Sequence, residues 1–386
     1  MKRAVIITEN KYPLGDAGAI RQHSMAKILQ ELGYSVFVVG YGKYSGKQVN
    51  VYEGVEYISL KSSSENKIVR AFYRLLFGFR AVKYIRKHIK KIDLILLVDT
   101  LPYGWKIIEN YGLRNDIKLV HDSVEWYSPE EYENGEKNIE YRLKEQTNTK
   151  IINKNWNVVA ISSYLQAHFS GIAKNVIRVP VIMDTEAIKF SVHKEDVSVT
   201  KTKFVYVGAP GRKDYLREII KAFNLLGEQY KNLWQLHIIG VTEQQLIANC
   251  QVEETDIKSL GESLEICGRI PHDEAIEWVR KSDFTLLLRD ADLRYAKAGF
   301  PTKIVESLSC ATPPVCNISS DLGEYLEDGY NAIISDSHKP EDLKKALIKA
   351  INCTEEQKTQ MRASARKTAE ENFDYKKYAE DFKKLQ

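Results

Sequence analysis

Short runs of β-branched and aliphatic residues recur along this chain, each followed by a stretch with helical spacing of apolar positions. That alternation leaves little besides an α/β fold with parallel sheets. In the first half the expected strands are Ala4–Thr8, Ser35–Gly40, Glu56–Leu60, Leu94–Val98, Lys118–Val120, Asn157–Ile161 and Val176–Val179. In the second they are Phe204–Val207, Trp234–Ile239, Leu264–Cys267, Phe284–Leu288, Pro314–Asn317 and Ala332–Ser335. Helical patterns separate most of them, among them Ile20–Leu32, Lys213–Leu226, His272–Lys281 and Thr302–Ser309. Between the two series runs a polar, aperiodic stretch, Met183 to Lys203, which reads as a linker. After Pro340 only helices are expected, over Glu341–Ile351, Thr354–Glu371 and Tyr375–Leu385. At 386 residues the chain exceeds what one core usually supports, so two doubly wound domains in tandem are expected. Such sheets bind ligands beyond the carboxyl ends of their strands.

Composition excludes several classes. Lys plus Arg exceed Asp plus Glu by only 56 to 52, a net charge of +4, so no nucleic-acid partner is expected and any basic site must be local. The five cysteines form no CxxC pair and are odd in number, which suits reduced thiols in a cytoplasmic protein. Met1-Lys2-Arg3 leads only into the short run Ala4–Ile7, less than a secretory signal requires. No apolar run approaches the roughly 20 residues of a membrane span. The expectation is a soluble chain, or one held to a membrane at its surface.

Chemistry concentrates in Leu288–Asn317. A strand ends, a polar loop follows, and Gly299-Phe300-Pro301-Thr302 opens a helix. Thr302 is expected as the N-cap, and free N–H groups in the first turn form an anion site. Glu306, one turn on, could accept hydrogen bonds from vicinal hydroxyls such as those of a ribose; the alternative is a capped helix with a solvated glutamate. Upstream, Phe204–Val207 runs into Gly208-Ala209-Pro210-Gly211-Arg212-Lys213, a turn with two cations that suits a diphosphate, or is simply a solvated loop. Gly268-Arg269-Ile270-Pro271 links another strand and helix. In the first half, Gly15 and Asp16 lie in the loop Pro13–Gly18, before a helix that contains Arg21. Strand ends present Asp99 and the run His121-Asp122-Ser123-Val124-Glu125, polar groups suited to orienting an acceptor hydroxyl or taking its proton.

The segment around Glu306 resembles the signature of the family 4 retaining glycosyltransferases, in which two glutamates with seven residues between them flank a Gly-Phe-Gly-type loop. Glu306 matches the second glutamate, followed here by Ser-Leu-Ser-Cys-Ala-Thr-Pro-Pro-Val where the family has small residues and Gly-Thr-Pro. Position 298, where the first glutamate would stand, is Ala298, so the family's carboxylate contact to the transferred sugar has no counterpart there. The resemblance implies that Glu306 holds the nucleotide ribose and Gly299, Phe300 and Thr302 the diphosphate. It sets Ile270 against the nucleobase and Lys213 on the leaving diphosphate, with Arg212 as a displaced substitute for the family's arginine. It implies that Gly15 and Asp16 close around the sugar phosphates, that His121 and Glu125 serve acceptor or sugar, and that Asp99, Asp122 and Arg21 line the acceptor side.

The fold implied is GT-B: two Rossmann-like domains facing a cleft, with residues 1–183 plus 373–386 for the acceptor and 184–372 for the donor. The activity implied is retaining transfer of a sugar from a nucleotide diphosphate, a UDP-sugar in the first instance, with no metal and no further cofactor. A nucleotide-sugar 2-epimerase of the same fold, a non-catalytic partner subunit and a two-lobed surface-binding protein remain alternatives.

One segment bears on location. Between Glu65 and Asp93 there are nine Lys or Arg and no acid, with Ile68, Phe72, Leu75, Phe79 and Val82 recurring as an apolar stripe. Residues 66–92 are therefore expected either to dock on an anionic membrane or to form a core-packed helix with a basic outer face. Joined to the resemblance, docking implies a glycan or lipid-linked acceptor in capsule, exopolysaccharide or lipopolysaccharide assembly at the inner face of a cell membrane.

Overall fold

The computed structural model describes residues 2–14, 17–42, 48–61, 66–190, 201–209 and 213–385. Gly15, Asp16, Arg212 and residues 191–200 of the linker lie outside the described residues. The chain divides into two units, one of Met1–Asp184, Ala298–Phe300 and Tyr375–Gln386, the other of Thr185–Lys297 and Pro301–Asp374.

The first unit holds strands β1 (Lys2–Lys11), β2 (Tyr34–Gly42), β3 (Asn50–Tyr52), β4 (Val55–Lys61), β5 (Leu94–Leu97), β6 (Lys118–Ser123), β7 (Trp156–Ala160) and β8 (Val176–Arg178). They form one sheet in the order β3-β4-β2-β1-β5-β6-β7-β8. Every neighbouring pair is parallel except β3 with β4. Helices α1 (Ala17–Glu31), α2 (Lys67–Leu75), α3 (Phe77–His88), α4 (Pro102–Arg114), α5 (Ile139–Gln146) and α6 (Ser163–Phe169) connect the strands. Residues Ala4–Ile7 of β1 and all of β5 are buried, the continuous apolar pattern of central parallel strands. Because β1 pairs with both β2 and β5, the strand order reverses there and leaves a crevice beyond their carboxyl ends.

The second unit repeats the plan. Strands β9 (Thr202–Val207), β10 (Trp234–Ile239), β11 (Leu264–Cys267), β12 (Phe284–Leu287), β13 (Pro314–Asn317) and β14 (Ile333–Ser335) form a parallel sheet in the order β11-β10-β9-β12-β13-β14. Its reversal falls between β9 and β12. The helices are α7 (Leu216–Asn224), α8 (Glu243–Cys250), α9 (Glu254–Leu260), α10 (His272–Arg280), α11 (Arg294–Ala298), α12 (Thr302–Ser309), α13 (Pro340–Ile351) and α14 (Glu355–Asn372). Helix α15 (Ala379–Lys383) follows a 3₁₀ turn at Tyr375–Tyr378, and both group with the first unit.

Three expectations change. The tail beyond Tyr375 is a 3₁₀ turn and a five-residue helix rather than one continuous helix. Thr302 is the first residue of α12, not its cap: Pro301 occupies the N-cap, and no side chain closes the helix start. The basic segment is two helices broken at Leu76, and the expected stripe does not stay on one face, since Val82 is buried. Phe77, which lies off the stripe, is fully buried, whereas Phe72, Leu75 and Phe79 on the stripe are about half exposed.

Among the described residues no helix is long and apolar enough to cross a membrane. The five cysteines are unbonded, with Cys310 and Cys316 buried. Burial pushes the Cys316 thiol up to about 12, so it is inert packing.

Candidate active site

In the second unit a pocket opens beside the strand-order reversal, lined by Val207, His272, Ile276, Leu287, Lys303 and Glu306. Glu306 stands one turn into α12, its side chain 16% exposed, and its Oε1 accepts a 2.9 Å hydrogen bond from His272 Nε2 at the start of α10. Lys303 precedes Glu306 by three residues and so shares its helix face. The Lys303 ammonium donates to Asp214 Oδ2 and, at 2.8 Å, to the Tyr206 hydroxyl, which itself donates to Asp214 Oδ2 at 2.7 Å. Arg289, just past β12, brings its Nε to 3.8 Å from Asp214 Oδ1. Its backbone is fixed by Asn317, whose side chain accepts from Arg289 N at 2.9 Å and donates to its carbonyl at 2.8 Å. Burial opposes charge on Asp214, but Lys303 and Arg289 outweigh it and hold the carboxyl down at about 2.

Glycines let these groups meet. Gly208 has φ of +152°, and a Cβ there would stand 2.5 Å from Lys303 Nζ. Gly240 has φ of +103° and would place a Cβ 2.5 Å from the Gly208 carbonyl oxygen. Lys213, next to Asp214, sets its ammonium 5.6 Å from the Tyr295 ring centroid, and its carbonyl accepts from the Tyr295 hydroxyl at 3.1 Å. Ile270 is half-buried in the turn after β11.

In the first unit the crevice beyond β1 and β5 gathers Glu9, Asp99, Thr100, Arg74 and Glu125. Arg74 Nε donates to Glu9 Oε2 at 2.9 Å, and Thr100 Oγ1 donates to Glu9 Oε1 at 2.9 Å. The same guanidinium reaches Glu140 through Nη1 at 3.1 Å. Burial and the neighbouring Asp99 outweigh Arg74, so the Glu9 carboxyl is pushed up to about 7. Burial likewise raises Asp99, against the pull of Lys144 and Arg74. Glu125 hydrogen-bonds the Tyr127 hydroxyl, whose ring lies under the Lys144 ammonium at 4.0 Å.

The sequence-derived candidates divide accordingly. Glu306 lines the pocket of the second unit, while Thr302 opens the helix that carries it. Asp99 and Glu125 come together in the crevice of the first. Gly299 and Phe300 are buried beside Ala298, whose carbonyl accepts from Ser162 Oγ at 2.7 Å. Three candidates sit inside the packing instead. His121 is 4% exposed, edge-on to Trp105 and Phe169 and bonded through Nδ1 to the Leu97 carbonyl at 3.3 Å. Burial lowers it to about 4, so it is a neutral core imidazole rather than an acceptor-facing base. Arg21 and Asp122 satisfy each other, with Nη2 at 2.8 Å from Oδ1, and Arg21 also donates to the Val179 and Pro180 carbonyls. That buried pair ties α1 to the sheet and leaves neither group for a ligand.

Lys303, Arg289, Asp214, His272, Glu9 and Arg74 are additions that sequence reasoning missed. Only Lys303 carried a local signal, its three-residue spacing to Glu306. Among the described residues no group of three or more His, Cys, Asp or Glu side chains is arranged to hold a metal.

Residues 188–368, a little under half of the chain, match the family described as glycosyl transferases group 1. Two uncharacterized glycosyltransferases of Methanocaldococcus jannaschii are similar: one 29% identical over 109 residues, 28% of this chain and 29% of that protein. The other is 24% identical over 185 residues, 48% of this chain and 45% of that protein. The matched stretches thus span less than half of either relative. Among solved structures, sucrose-phosphate synthase from Thermosynechococcus elongatus superposes with a TM-score of 0.75 at 14% identity, covering 100% of this chain and 98% of that one. Anabaena HepE in complex with UDP and glucose gives 0.70 at 13% identity, covering 100% and 99%. These likenesses establish the fold: two parallel-sheet, Rossmann-like units of the GT-B type.

Proposed function

We propose that this chain is a retaining glycosyltransferase that moves a sugar, a hexose in the first instance, from a UDP-type donor to a glycan or lipid-linked acceptor in bacterial surface polysaccharide assembly. The observation that carries the proposal is the pocket of the second unit, where a half-enclosed carboxylate on the first turns of α12 stands beside fixed cations. Glu306 would take the ribose hydroxyls, the open N-terminal turn at Thr302 and the Lys213 ammonium the diphosphate, and the Ile270 turn the base. That HepE is complexed with UDP and with UDP-glucose supports a uridine nucleotide. In the transfer, the bond from anomeric carbon to diphosphate oxygen breaks with its electron pair going to phosphate. The departing oxygen takes the acceptor proton, and the acceptor oxygen bonds the same face of the carbon. In the first unit, Asp99 and Glu125 would orient the acceptor, while His121, Asp122 and Arg21 have structural work.

The exposed face of α2 and α3 supports action at the inner face of a membrane. Val69, Phe72, Leu75 and Phe79 are 38–58% exposed, and Lys83, Arg86, Lys87 and Lys90 continue that surface as exposed cations. The test is incubation with UDP-sugars and membrane lipid extracts, read by mass spectrometry. Glycosylated lipid or glycan appearing with free UDP supports the proposal. An isomerised nucleotide sugar formed without acceptor would assign the chain to the epimerases instead, and failure to bind UDP or GDP would end the enzyme reading.

A further inference from the structure

We infer that the crevice of the first unit selects its acceptor by charge: it holds a sugar unit that presents hydroxyl donors and carries no carboxylate or phosphate, with Glu9 as the specificity-determining residue. The inference rests on the glycosyltransferase reading and narrows the acceptor which that reading leaves open.

Strand register builds the site. Ile7, Leu97 and His121 stand side by side across β1, β5 and β6. Two residues further on along each path come Glu9, Asp99 and Ser123, a row of polar groups at the carboxyl end of the sheet. This corner is rich in hydrogen-bond acceptors. Glu9, Asp99, Glu125 and Glu140 outnumber the cations beside them, Arg74 and Lys144. Arg74 is already bound to Glu9 and Glu140, and the Thr100 hydroxyl to Glu9. Apart from the carboxyls, two buried side-chain atoms lack a partner. One is Ser123 Oγ, in the row itself and 1% exposed. The other is Oδ1 of Asn148, a residue 6% exposed whose Nδ2 donates to the Glu125 carbonyl at 3.4 Å. An amide oxygen and carboxylate oxygens can only accept, so the group that completes them must donate. Sugar hydroxyls do so. A carboxylate or phosphate instead adds negative charge where it is already under-compensated, as the raised Glu9 and Asp99 carboxyls record.

Glu9 sets how strict the selection is. Burial and Asp99 push its carboxyl up to about 7 against the pull of Arg74, and its side chain is only 8% exposed. Arg74 of α2 and Asp99 after β5 face it directly; Glu140 and Lys144 of α5 and Glu125 after β6 surround those two. Glu9 is therefore largely neutral at pH 6 and ionised at pH 8, so repulsion of an anionic sugar grows across that interval.

The test is saturation-transfer NMR on the full-length protein in the presence of UDP or GDP. The probes are the methyl glycosides of glucose, galactose and mannose and their uronates, which differ by one carboxylate that is ionised at both pH values. At pH 8 at least one neutral glycoside is expected to bind about tenfold or more tightly than its uronate, and at pH 6 that ratio should fall severalfold. Glu9→Gln should keep the low ratio at both pH values. Asp99→Asn, which removes the neighbour that raises Glu9, should move the change to lower pH, a shift that loss of structural support alone would not produce. The inference is overturned, with the transferase reading intact, by folded protein that binds a nucleotide but holds none of the six sugars, or holds uronates as well as their neutral counterparts. It is equally overturned if Glu9→Gln keeps the wild-type pH dependence. Failure to bind either nucleotide removes the transferase reading and the inference with it.

Discussion

His272 and Glu306 face each other across 2.9 Å, Nε2 to Oε1, so one oxygen of the carboxylate is engaged before any ligand arrives. Its second oxygen is left for hydroxyls. Glu306→Ala is therefore expected to weaken UDP binding by about 1–3 kcal/mol, the scale of a hydrogen bond to a charged group. His272→Ala should cost less, about 0.5–1.5 kcal/mol, because it frees the carboxylate without removing it. Calorimetric titration of both variants measures the two losses. Equal affinity in folded Glu306→Ala would remove the ribose role.

Much of this architecture was legible in residue order. All six strands of the second sheet, and seven of eight in the first, follow short runs rich in aliphatic and β-branched residues, and the central ones such as β5 and β7 are buried throughout. The missed strand, β3, is three residues long and exists because Glu53 and Gly54, both at positive φ, turn the chain back onto β4. Glu306 is singled out by its place one turn past a helix start and by the family signature, and it lines the pocket of the second unit. Lys303 and Arg289 were not recognised, because their meaning depends on Asp214, some 75–90 residues away in sequence, and only the β9–β12 pairing brings them together. His121 misled for the mirror reason: a polar residue at a strand end points to solvent or to core according to neighbours that alternation does not specify.

Gly240 and Gly208 predict unequal costs for the same small change. Gly240→Ala sets a Cβ against the backbone oxygen of Gly208 at 2.5 Å, at φ of +103°, and backbone cannot step aside. A loss of about 2–4 kcal/mol is expected from combined strain and overpacking. Gly208→Ala, at φ of +152°, carries some backbone strain but meets only side-chain atoms, the flexible end of Lys303 at 2.5 Å, which can swing away, and the Tyr206 hydroxyl at 3.3 Å. It should leave stability within about 1–2 kcal/mol of wild type but displace the ammonium from Asp214. Chemical denaturation separates the two, and a Gly208→Ala loss equal to that of Gly240→Ala would contradict the geometry.

The exposed residues of α2 and α3 predict a membrane partition with two separable parts. Phe72→Ser with Phe79→Ser removes two side chains that are 58% and 50% exposed, so folding should be little affected. Co-sedimentation with phosphatidylglycerol vesicles should fall about tenfold or more, with the remaining binding still sensitive to salt. Lys83→Gln with Lys87→Gln should cost about 1 kcal/mol per residue at low salt and progressively less as salt rises. Wild-type protein that stays in the supernatant at low salt would remove the docking role.

Two groups of the first unit should leave opposed marks on its pH dependence. Glu9 has a folded-state pKa of about 7, above its ordinary 4.5, because burial and Asp99 disfavour its charge. The folded state then holds more protons than the unfolded one, and stability falls as pH rises from 4.5 to 7. His121 is lowered by burial from 6.5 to about 4, so the unfolded state holds more protons and stability rises as pH climbs from 4 to 6.5. Each effect is about 3 kcal/mol at most, and over their shared range they nearly cancel. Wild type should therefore look almost indifferent to pH between 4.5 and 6.5 as far as these groups go. Glu9→Gln should expose the histidine slope, with stability increasing toward neutrality. His121→Leu should expose the glutamate slope, with stability decreasing over the same range. Urea unfolding at pH 4.5, 5.5 and 6.5 reads both slopes, and variants whose slopes have the same sign would show that one of these side chains is not buried as described.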